Sequence, residues 1–256
     1  MHGAGNEFIV INDWSFNFPR INKDFFIKND YLLRKLNFDG ILLYQKSEIA
    51  DVKMIFYNPD GSEADMCGNG ARCISRLFSH LNYQKNNILI ETNIGIIKSK
   101  IYNDTVKLFL DFKPIIKTGI ILNNLTIDFC NSGVPHIVHW LDKKDALNKN
   151  YDFIKTARSL RNHNYFNHEG SNYNLAVYES NNLIKIRTYE RGVEAETNAC
   201  GTGALATAIL AVKKGICNYP IVIHCCSGEQ LIIDNEDNYL TLEGSAILEF
   251  EDSIVI

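Results

Sequence analysis

Two separated stretches of the chain show the same succession of strand and helix patterns. Residues 51–58 (DVKMIFYN) and 182–190 (NLIKIRTYE) mix β-branched and aromatic residues with partial polar alternation, which predicts a strand ending in a polar turn. Beyond each turn, apolar residues recur at the helical period. They are Ile74, Leu77, Phe78 and Leu81 in the first stretch, and Leu205, Ala208, Ile209 and Val212 in the second. Each stretch therefore predicts a strand, a turn and a helix.

The second predicted helix differs from the first in composition. From Ala204 it is almost entirely small or apolar, so we expect it to be buried on every side. Lys213, Lys214 and Gly215 supply a stop signal at its end. Each helix is followed by a strand, a glycine-containing turn and another strand, over residues 87–101 and 220–235. Short helices are predicted at residues 28–37 and near residues 153–160.

Composition and charge narrow the class of protein. The chain has 256 residues, 46% of them hydrophobic, and a formal charge of -4, which suits one large or two modest globular domains. Lys and Arg are scattered, so no basic stripe for a phosphate backbone is present and nucleic acid is not expected as a partner. Apolar runs fall far short of the ~20 residues that span a bilayer. With no secretory leader ahead of Met1, we expect a cytoplasmic protein without a membrane partner.

The cysteines divide into two groups. Seven is an odd number and no paired C-x-x-C knuckles occur, which argues against a disulfide framework or a zinc ribbon and predicts mostly free thiols. Most of the other five are interpreted as small buried hydrophobes: Cys73, Cys130, Cys217, Cys225 and Cys226. Cys67 and Cys200 stand apart because each precedes Gly-x-Gly-Ala.

The motifs DMCGNGARC (65–73) and NACGTGALA (198–206) indicate an internal duplication. Their cysteines are 133 positions apart, and a glutamate lies four residues before each. Tyr57 comes ten residues before Cys67 and Tyr189 comes eleven before Cys200, so the second copy has one inserted residue. A glycine follows each cysteine after 28 positions. Shared motifs at repeated spacing argue for two copies of one unit.

The duplication predicts the fold class and the domains. We expect an α/β (α+β) protein of two pseudo-symmetric domains, each a mostly antiparallel sheet wrapped around a central helix. The first covers residues 1–112 and the second residues 113–244, with 111–119 as the link. The tail from Leu242 alternates apolar residues, and its strand at 245–256 is predicted to return to the first domain.

A cysteine at a helix N-terminus suits acid/base chemistry. Free N–H groups and the helix dipole attract an anion there, and glycines let it approach the backbone. The same field is expected to lower the pKa of the thiol. If the halves pack face to face, two sulfurs flank one substrate carbon, one removing a proton and the other returning it. This arrangement is typical of a racemase or epimerase that binds a small-molecule carboxylate.

The residues carry a resemblance to the diaminopimelate epimerase family over nearly the whole chain. Five ordered blocks support it, at residues 1–8, 57–73, 133–136, 170–174 and 189–204. The resemblance implies the predicted fold and the interconversion of LL- and meso-diaminopimelate, for lysine and peptidoglycan precursors. It implies one cysteine as thiolate and the other as thiol, no pyridoxal phosphate or other cofactor, no metal, and a homodimer.

The resemblance also assigns site residues. Cys67 and Cys200 become the catalytic pair, and the N–H groups of Gly68 with Asn69 and of Gly201 with Thr202 hold the reacting carboxylate. Further substrate-binding positions are Asn6, Asn58, Asn172, Glu190 and Arg191, and His136 is auxiliary. Arg191 suits a carboxylate and Glu190 an ammonium group.

The chain departs from the family pattern in places, and other functions stay open. Val134 replaces an asparagine before Pro135, and Gly40 stands where some members have glutamine. A proline or hydroxyproline racemase, or a phenazine-pathway isomerase, is the alternative within the same fold. A thiol redox or metal-binding protein is the alternative of another class.

Overall fold

The computed structural model describes residues 1–18, 25, 38–82, 85–143, 151–166 and 170–249. It divides into two compact units, Met1–Leu110 with the segment from Glu243 onward, and Asp111–Leu242. Among the described residues, no helix has both the length and the apolar composition to cross a bilayer.

Unit 1 is a sheet that packs on one helix. Its elements are β1 (His2–Gly3), β2 (Asn6–Asn12), β3 (Gly40–Gln45), β4 (Val52–Tyr57), β5 (Glu63–Ala64), α1 (Gly68–Leu81), β6 (Asn87–Thr92), β7 (Gly95–Ile101) and β8 (Thr105–Leu110). Most neighbouring strands are antiparallel, while β2 with β3 and β4 with β6 are parallel. Helix α1 contacts β1, β3, β4, β6, β7 and β8, so it lies at the centre of the unit.

Unit 2 repeats this plan, with one more strand among the described residues. Its elements are β9 (Ile115–Leu122), β10 (Leu125–Asn131), β11 (Pro135–Trp140), α2 (Phe153–Arg161), β12 (Asn172–Ser180), β13 (Leu183–Tyr189), β14 (Glu196–Thr197), α3 (Gly201–Lys213), β15 (Ile221–His224), β16 (Gln230–Glu236) and β17 (Tyr239–Ser245), whose last residues belong to unit 1. Here β11 with β12 and β13 with β15 are the parallel pairs. Helix α3 contacts β10, β11, β12, β15 and β16.

Strand registers confirm the duplication residue by residue. Tyr57 pairs with Glu63 in unit 1, and Tyr189 pairs with Glu196 in unit 2. The parallel pairs match as well, since Val52 opposes Ile90 and Ile184 opposes Ile223. The inserted residue of the second copy therefore lies in the turn between β13 and β14.

The helices agree with their sequence patterns. Residues 203–211 of α3 are all buried, as its apolar composition predicts. Gly215, at φ +68°, closes α3: its N–H donates to Val212 O (3.0 Å) and that of Ile216 donates to Ala211 O (2.9 Å). The short helix predicted near 153–160 is α2, whereas the one predicted at 28–37 lies outside the described residues.

Both ends of the described chain meet in unit 1. His2 and Ile247 form an antiparallel bridge, with N···O distances of 3.0 and 2.9 Å. The hydroxyl of Ser245 accepts a hydrogen bond from Ala4 N–H (3.1 Å), and Arg76 Nε donates to Ala246 O (3.2 Å). Residues 250–256 of the predicted returning strand lie outside the described residues. The predicted link 111–119 is too long, because β9 begins at Ile115.

Candidate active site

Cys67 begins the helix of unit 1. It is the N-cap of α1, with an extended backbone (φ -135°, ψ 114°), and its Sγ accepts a hydrogen bond from the Gly70 N–H at 3.3 Å. Cys67 is only half-buried. The first N–H groups of a helix have no acceptor within the helix, so those of Gly68 and Asn69 suit an anion. The sulfur thus lies at a helix end whose backbone N–H groups suit an anion.

Asn69 joins the first turn of α1 to the N-terminal strands. Its Nδ2 donates to Asn6 Oδ1, and its Oδ1 accepts from Arg72 Nη2 at 2.8 Å. Arg72 is fully buried, and its Nε donates to Ser245 O at 3.4 Å. Asn6, which sequence alone linked to Asn69 only by family resemblance, is therefore in contact with it. Arg72 was missed, since an arginine inside a helix gives no sign of its burial.

Asn58 and Gly40 lie beside strand β4. Asn58 opens the turn between β4 and β5, where its Nδ2 donates to Ser62 Oγ at 3.0 Å. An added Cβ at Gly40 would collide with the ring of Phe56 and lie 2.9 Å from Tyr57 O. Phe56 stacks edge-on with Phe8 (6.1 Å between centroids). Packing of this ring explains why position 40 is glycine here.

Cys200 begins the helix of unit 2 in a different environment. It is the N-cap of α3 with an extended backbone (φ -127°, ψ 109°), and it is buried. Burial, followed by the negative charge of Glu190, raises the pKa of the Cys200 thiol well above its usual value. The expectation that the helix end lowers this pKa is wrong for Cys200, because loss of hydration and a nearby carboxylate outweigh the helix field.

Thr202 and His136 form a chain of polar contacts that ends at the Cys200 sulfur. The Thr202 hydroxyl lies 3.4 Å from Cys200 Sγ and 2.9 Å from Nε2 of His136. His136 is completely buried, and burial together with the positive charge of Arg191 lowers its pKa to about 3. The ring is therefore neutral near pH 7. The His136 ring is linked to the Cys200 sulfur through the Thr202 hydroxyl.

Asn172, Glu190 and Arg191 gather beside this cluster. Asn172 Nδ2 donates to Pro135 O (3.0 Å), and its Oδ1 accepts from the Arg191 N–H (2.8 Å). Glu190 accepts a short hydrogen bond from Thr197 Oγ1. Unit 2 thus brings together every residue that the resemblance assigned to it.

Two buried polar residues of this cluster were missed by sequence reasoning. Ser132 Oγ donates to the carbonyl of Thr202 at 2.7 Å, which ties the first turn of α3 to the β10–β11 loop. Asn174 contacts His136 at 2.9 Å. A signal for Asn174 existed: in a strand, residues two apart share a face, so Asn172 and Asn174 point the same way.

The two glutamates that precede the cysteine motifs, and the other cysteines, are held by ion pairs, hydrogen bonds or burial. Glu196 forms a two-point ion pair with Arg187 (2.7 Å to Nε), and Glu63 accepts from Asn93 Nδ2 (2.7 Å). Burial raises the pKa of Cys73 to about 12. All seven cysteines, which the structure describes, are free thiols. Within the described part of the chain, no three His, Cys, Asp or Glu side chains are grouped to hold a metal.

Two matched units, each with a cysteine capping its central helix, define an isomerase of the two-domain epimerase and racemase fold. The chain belongs to the diaminopimelate epimerase family, because the family model "Diaminopimelate epimerase" matches residues 1–113 and 129–248. It is 35% identical to a diaminopimelate epimerase of Aquifex aeolicus, covering 98% of this chain and 95% of that one. A diaminopimelate epimerase of Hydrogenobaculum is 36% identical, at 97% and 95% coverage.

Solved structures share the fold at low sequence identity. A putative phenazine biosynthesis PhzC/PhzF protein from Clostridium difficile has a TM-score of 0.70 at 15% identity, covering 98% of this chain and 94% of that one. A hydroxyproline epimerase from Agrobacterium vitis has a TM-score of 0.68 at 14% identity, covering 95% and 86%. The same-fold alternatives thus share the architecture, but family membership decides against them and against a redox or metal-binding protein.

Proposed function

We propose that this chain interconverts LL- and meso-diaminopimelate with Cys67 and Cys200 as its two acid/base groups. One observation carries the assignment of residues: these two cysteines occupy the same N-cap position of the two matched helices. A thiolate takes the α-proton from one face of the carbon, and the thiol of the other cysteine returns a proton to the opposite face. The same two groups exchange roles in the reverse direction.

Backbone N–H groups supply the site for the reacting carboxylate. In this proposal, Gly68 with Asn69 and Gly201 with Thr202 donate to it from the two helix ends. A helix N-terminus stabilises negative charge, and charge grows on the carboxylate when the α-proton leaves. The contacts of Asn69 with Asn6 and of Thr202 with Ser132 keep both first turns in place.

Charged and amide side chains are proposed to bind the rest of the substrate. Arg191 suits the distal carboxylate through its planar fork, and its backbone is fixed by Asn172. Glu190 suits an ammonium group, while Asn6 and Asn58 can donate and accept. No cofactor takes part in this proposal, since the thiolate itself is the base.

Replacement of either cysteine tests the assignment. Cys67→Ala and Cys200→Ala should each lower the conversion of LL- to meso-diaminopimelate by at least about a thousandfold, because neither face can perform both transfers. The measurement follows the meso form and the α-deuterium content in deuterated water. Cys73→Ala is the matched control, since Cys73 is buried in the same helix and should keep most of the activity.

Near-parental epimerisation in either catalytic variant would falsify the two-base assignment. Loss of folding is a separate matter, and circular dichroism of each variant distinguishes it from loss of chemistry.

We also propose that the protein acts in the cytoplasm as a homodimer. Free thiols at every cysteine suit a reducing compartment. Sedimentation of the purified chain measures its mass, and a value near 29.1 kDa would contradict the dimer.

A further inference from the structure

A chain of buried polar groups runs behind the Cys200 sulfur. Asn174 Nδ2 lies 2.9 Å from His136 Nδ1, His136 Nε2 lies 2.9 Å from Thr202 Oγ1, and that hydroxyl lies 3.4 Å from the sulfur. Asn174 and His136 are both fully buried. Both side chains are shielded from bulk water, and the direction of each hydrogen bond depends on its neighbours.

The amide of Asn174 can point in only one way. Its Nδ2 lies 2.9 Å from the carbonyl of Ile137, and a carbonyl only accepts, so the amino group must face it. The Oδ1 on the other side accepts from the hydroxyl of Thr188 at 2.9 Å. The same amino group is therefore presented to Nδ1 of His136.

The orientation of Asn174 determines where His136 carries its proton. An amino group only donates, so Nδ1 must accept and carries no hydrogen. The neutral ring then has its proton on Nε2, which donates to Thr202 Oγ1. Asn172 Nδ2 also lies 3.5 Å from Nε2, but that distance is the limit of a hydrogen bond, so the 2.9 Å contact of Asn174 with Nδ1 decides where the proton lies.

We propose that Asn174 is a positioning residue for Cys200: by holding the proton of His136 on Nε2, it turns the Thr202 hydroxyl into a donor to the sulfur. With its oxygen occupied by the histidine N–H, Thr202 directs its own hydrogen toward Sγ. A hydroxyl donor stabilises a thiolate more than a thiol. This inference rests on the proposed function, in which Cys200 alternates between the two forms.

The duplicated unit shows that the fold does not need this network. Strand register matches Asn174 with Leu42, and His136 with Phe8. Both of those residues are buried and apolar, and Leu42 packs beside Gly70 as Asn174 packs beside Gly203. An apolar pair therefore supports the same helix end in unit 1. The polar pair of unit 2 has a purpose beyond packing, and the sulfur is at its end.

Charged neighbours make such a donor useful. Cys200 faces the carboxylate of Glu190, and His136 faces the positive charge of Arg191. Burial and Glu190 both oppose a thiolate on Cys200. A hydroxyl donor that is fixed in direction stabilises the thiolate form of Cys200 without adding a charge, and so offsets part of the effect of burial and of Glu190.

Nitrogen NMR of the parent protein tests the first step. With ¹⁵N-labelled histidine, His136 should show a protonated Nε2 and an unprotonated Nδ1 between pH 5 and 8, identified by loss of the signals in His136→Gln. In Asn174→Asp, whose carboxylate only accepts, the proton should move to Nδ1. A parent ring protonated on Nδ1, or one that keeps Nε2–H in folded Asn174→Asp, overturns the proposal.

Alkylation of the sulfur tests the second step without turnover. In a Cys67→Ala background, Asn174→Leu should slow iodoacetamide modification of Cys200 at pH 8 by about tenfold, the value expected for one hydrogen bond to a charged group. Thr202→Val should do the same and Thr202→Ser should not. Cys67, measured in a Cys200→Ala background, should react equally with and without Asn174→Leu.

Equal Cys200 rates in the parent and in Asn174→Leu, or equal slowing of both cysteines, overturns the proposal. These readouts need no substrate, so they stand apart from failure of the proposed epimerisation.

Discussion

His136 is an ionisable ring that this protein keeps neutral at a measurable cost. Its pKa lies near 3 because the ring is buried and faces the charge of Arg191. An unfolded histidine titrates near 6.5, so between those values the unfolded state binds the extra proton. Stability is therefore complete above about pH 6.5 and declines as the pH falls toward 3. The cost reaches about 2 kcal/mol at pH 5.

Removal of this ring should flatten the acid side of the stability curve. We expect His136→Gln to reduce the fall in the free energy of unfolding between pH 7 and 5, measured by urea titration. Part of the slope should remain, because burial also lowers the pKa of His139. Glu196, whose pKa Arg187 lowers, contributes only at more acid pH. His80→Gln, at the exposed end of α1, controls for the loss of a histidine. A slope unchanged by His136→Gln contradicts the account.

At this scale the sequence identified the chemical groups but not their electrostatics. Cys67 and Cys200 are visible because a repeated motif and a helix pattern coincide. The raised pKa of Cys200 is not visible in the sequence. It depends on how deeply tertiary packing buries the thiol and on the carboxylate of Glu190 in the preceding turn. Asn174 was missed for the same reason, since its role depends on the register of β11 against β12.

Elements were predictable where a periodic pattern repeats. The strands β4 and β13 and the helices α1 and α3 follow directly from alternation and from the helical period. The first half of strand β9 falls within the predicted link, because its exposed positions include isoleucines and its alternation is poor. Strand β9 is held in place by its antiparallel pairing with β10, which its own residues do not indicate.

The third residue of each central helix offers a matched test at the scale of elements. A Cβ added at Gly203 would lie 2.5 Å from Asn174 Oδ1, whereas at Gly70 it would lie 2.7 Å from a methyl of Leu42. Asn174 is held by hydrogen bonds on both sides and cannot withdraw without breaking one, while a leucine methyl can rotate. Both substitutions gain about 1 kcal/mol of helix propensity.

Gly203→Ala should therefore lower the free energy of unfolding by about 1–3 kcal/mol more than Gly70→Ala. Denaturant titration of the two variants measures the difference. Equal losses of the free energy of unfolding would mean that Asn174 moves aside as easily as Leu42, which contradicts this prediction.

At the scale of the whole molecule, duplication explains why one fold carries two sulfurs in different surroundings. The backbone plan is copied down to single strand pairs, while the side chains behind each cysteine have diverged. Unit 1 has the buried Arg72 in its helix, and Leu205 occupies the matched position in unit 2. The copied backbone was predictable from the spacing of motifs. The divergence of the side chains behind each cysteine was not predictable, because it is seen only in the contacts between the strands and the helix.

The two ends of the chain make unit 1 depend on residues 245–247. Removal of the chain from Ser245 onward deletes the acceptors of Ala4 N–H and Arg72 Nε and the bridge partner of His2. Arg72 is fully buried, so loss of its acceptor is costly. We expect this truncation to destabilise unit 1, whereas a truncation from residue 250 keeps all these hydrogen bonds and serves as the control.

One tryptophan in each unit reports the outcome. Trp14 stacks on Tyr44 in unit 1 (5.3 Å between centroids), and Trp140 donates to Asp128 in unit 2 (2.8 Å). In single-tryptophan variants, Trp140→Phe and Trp14→Phe, the truncation from Ser245 should lower the urea midpoint seen by Trp14 more than that seen by Trp140. The reason is that the hydrogen bonds described for Ser245, Ala246 and Ile247 join residues of unit 1. An equal shift at both tryptophans would show that the two units unfold as one, and no shift at Trp14 would show that the chain ends do not stabilise unit 1.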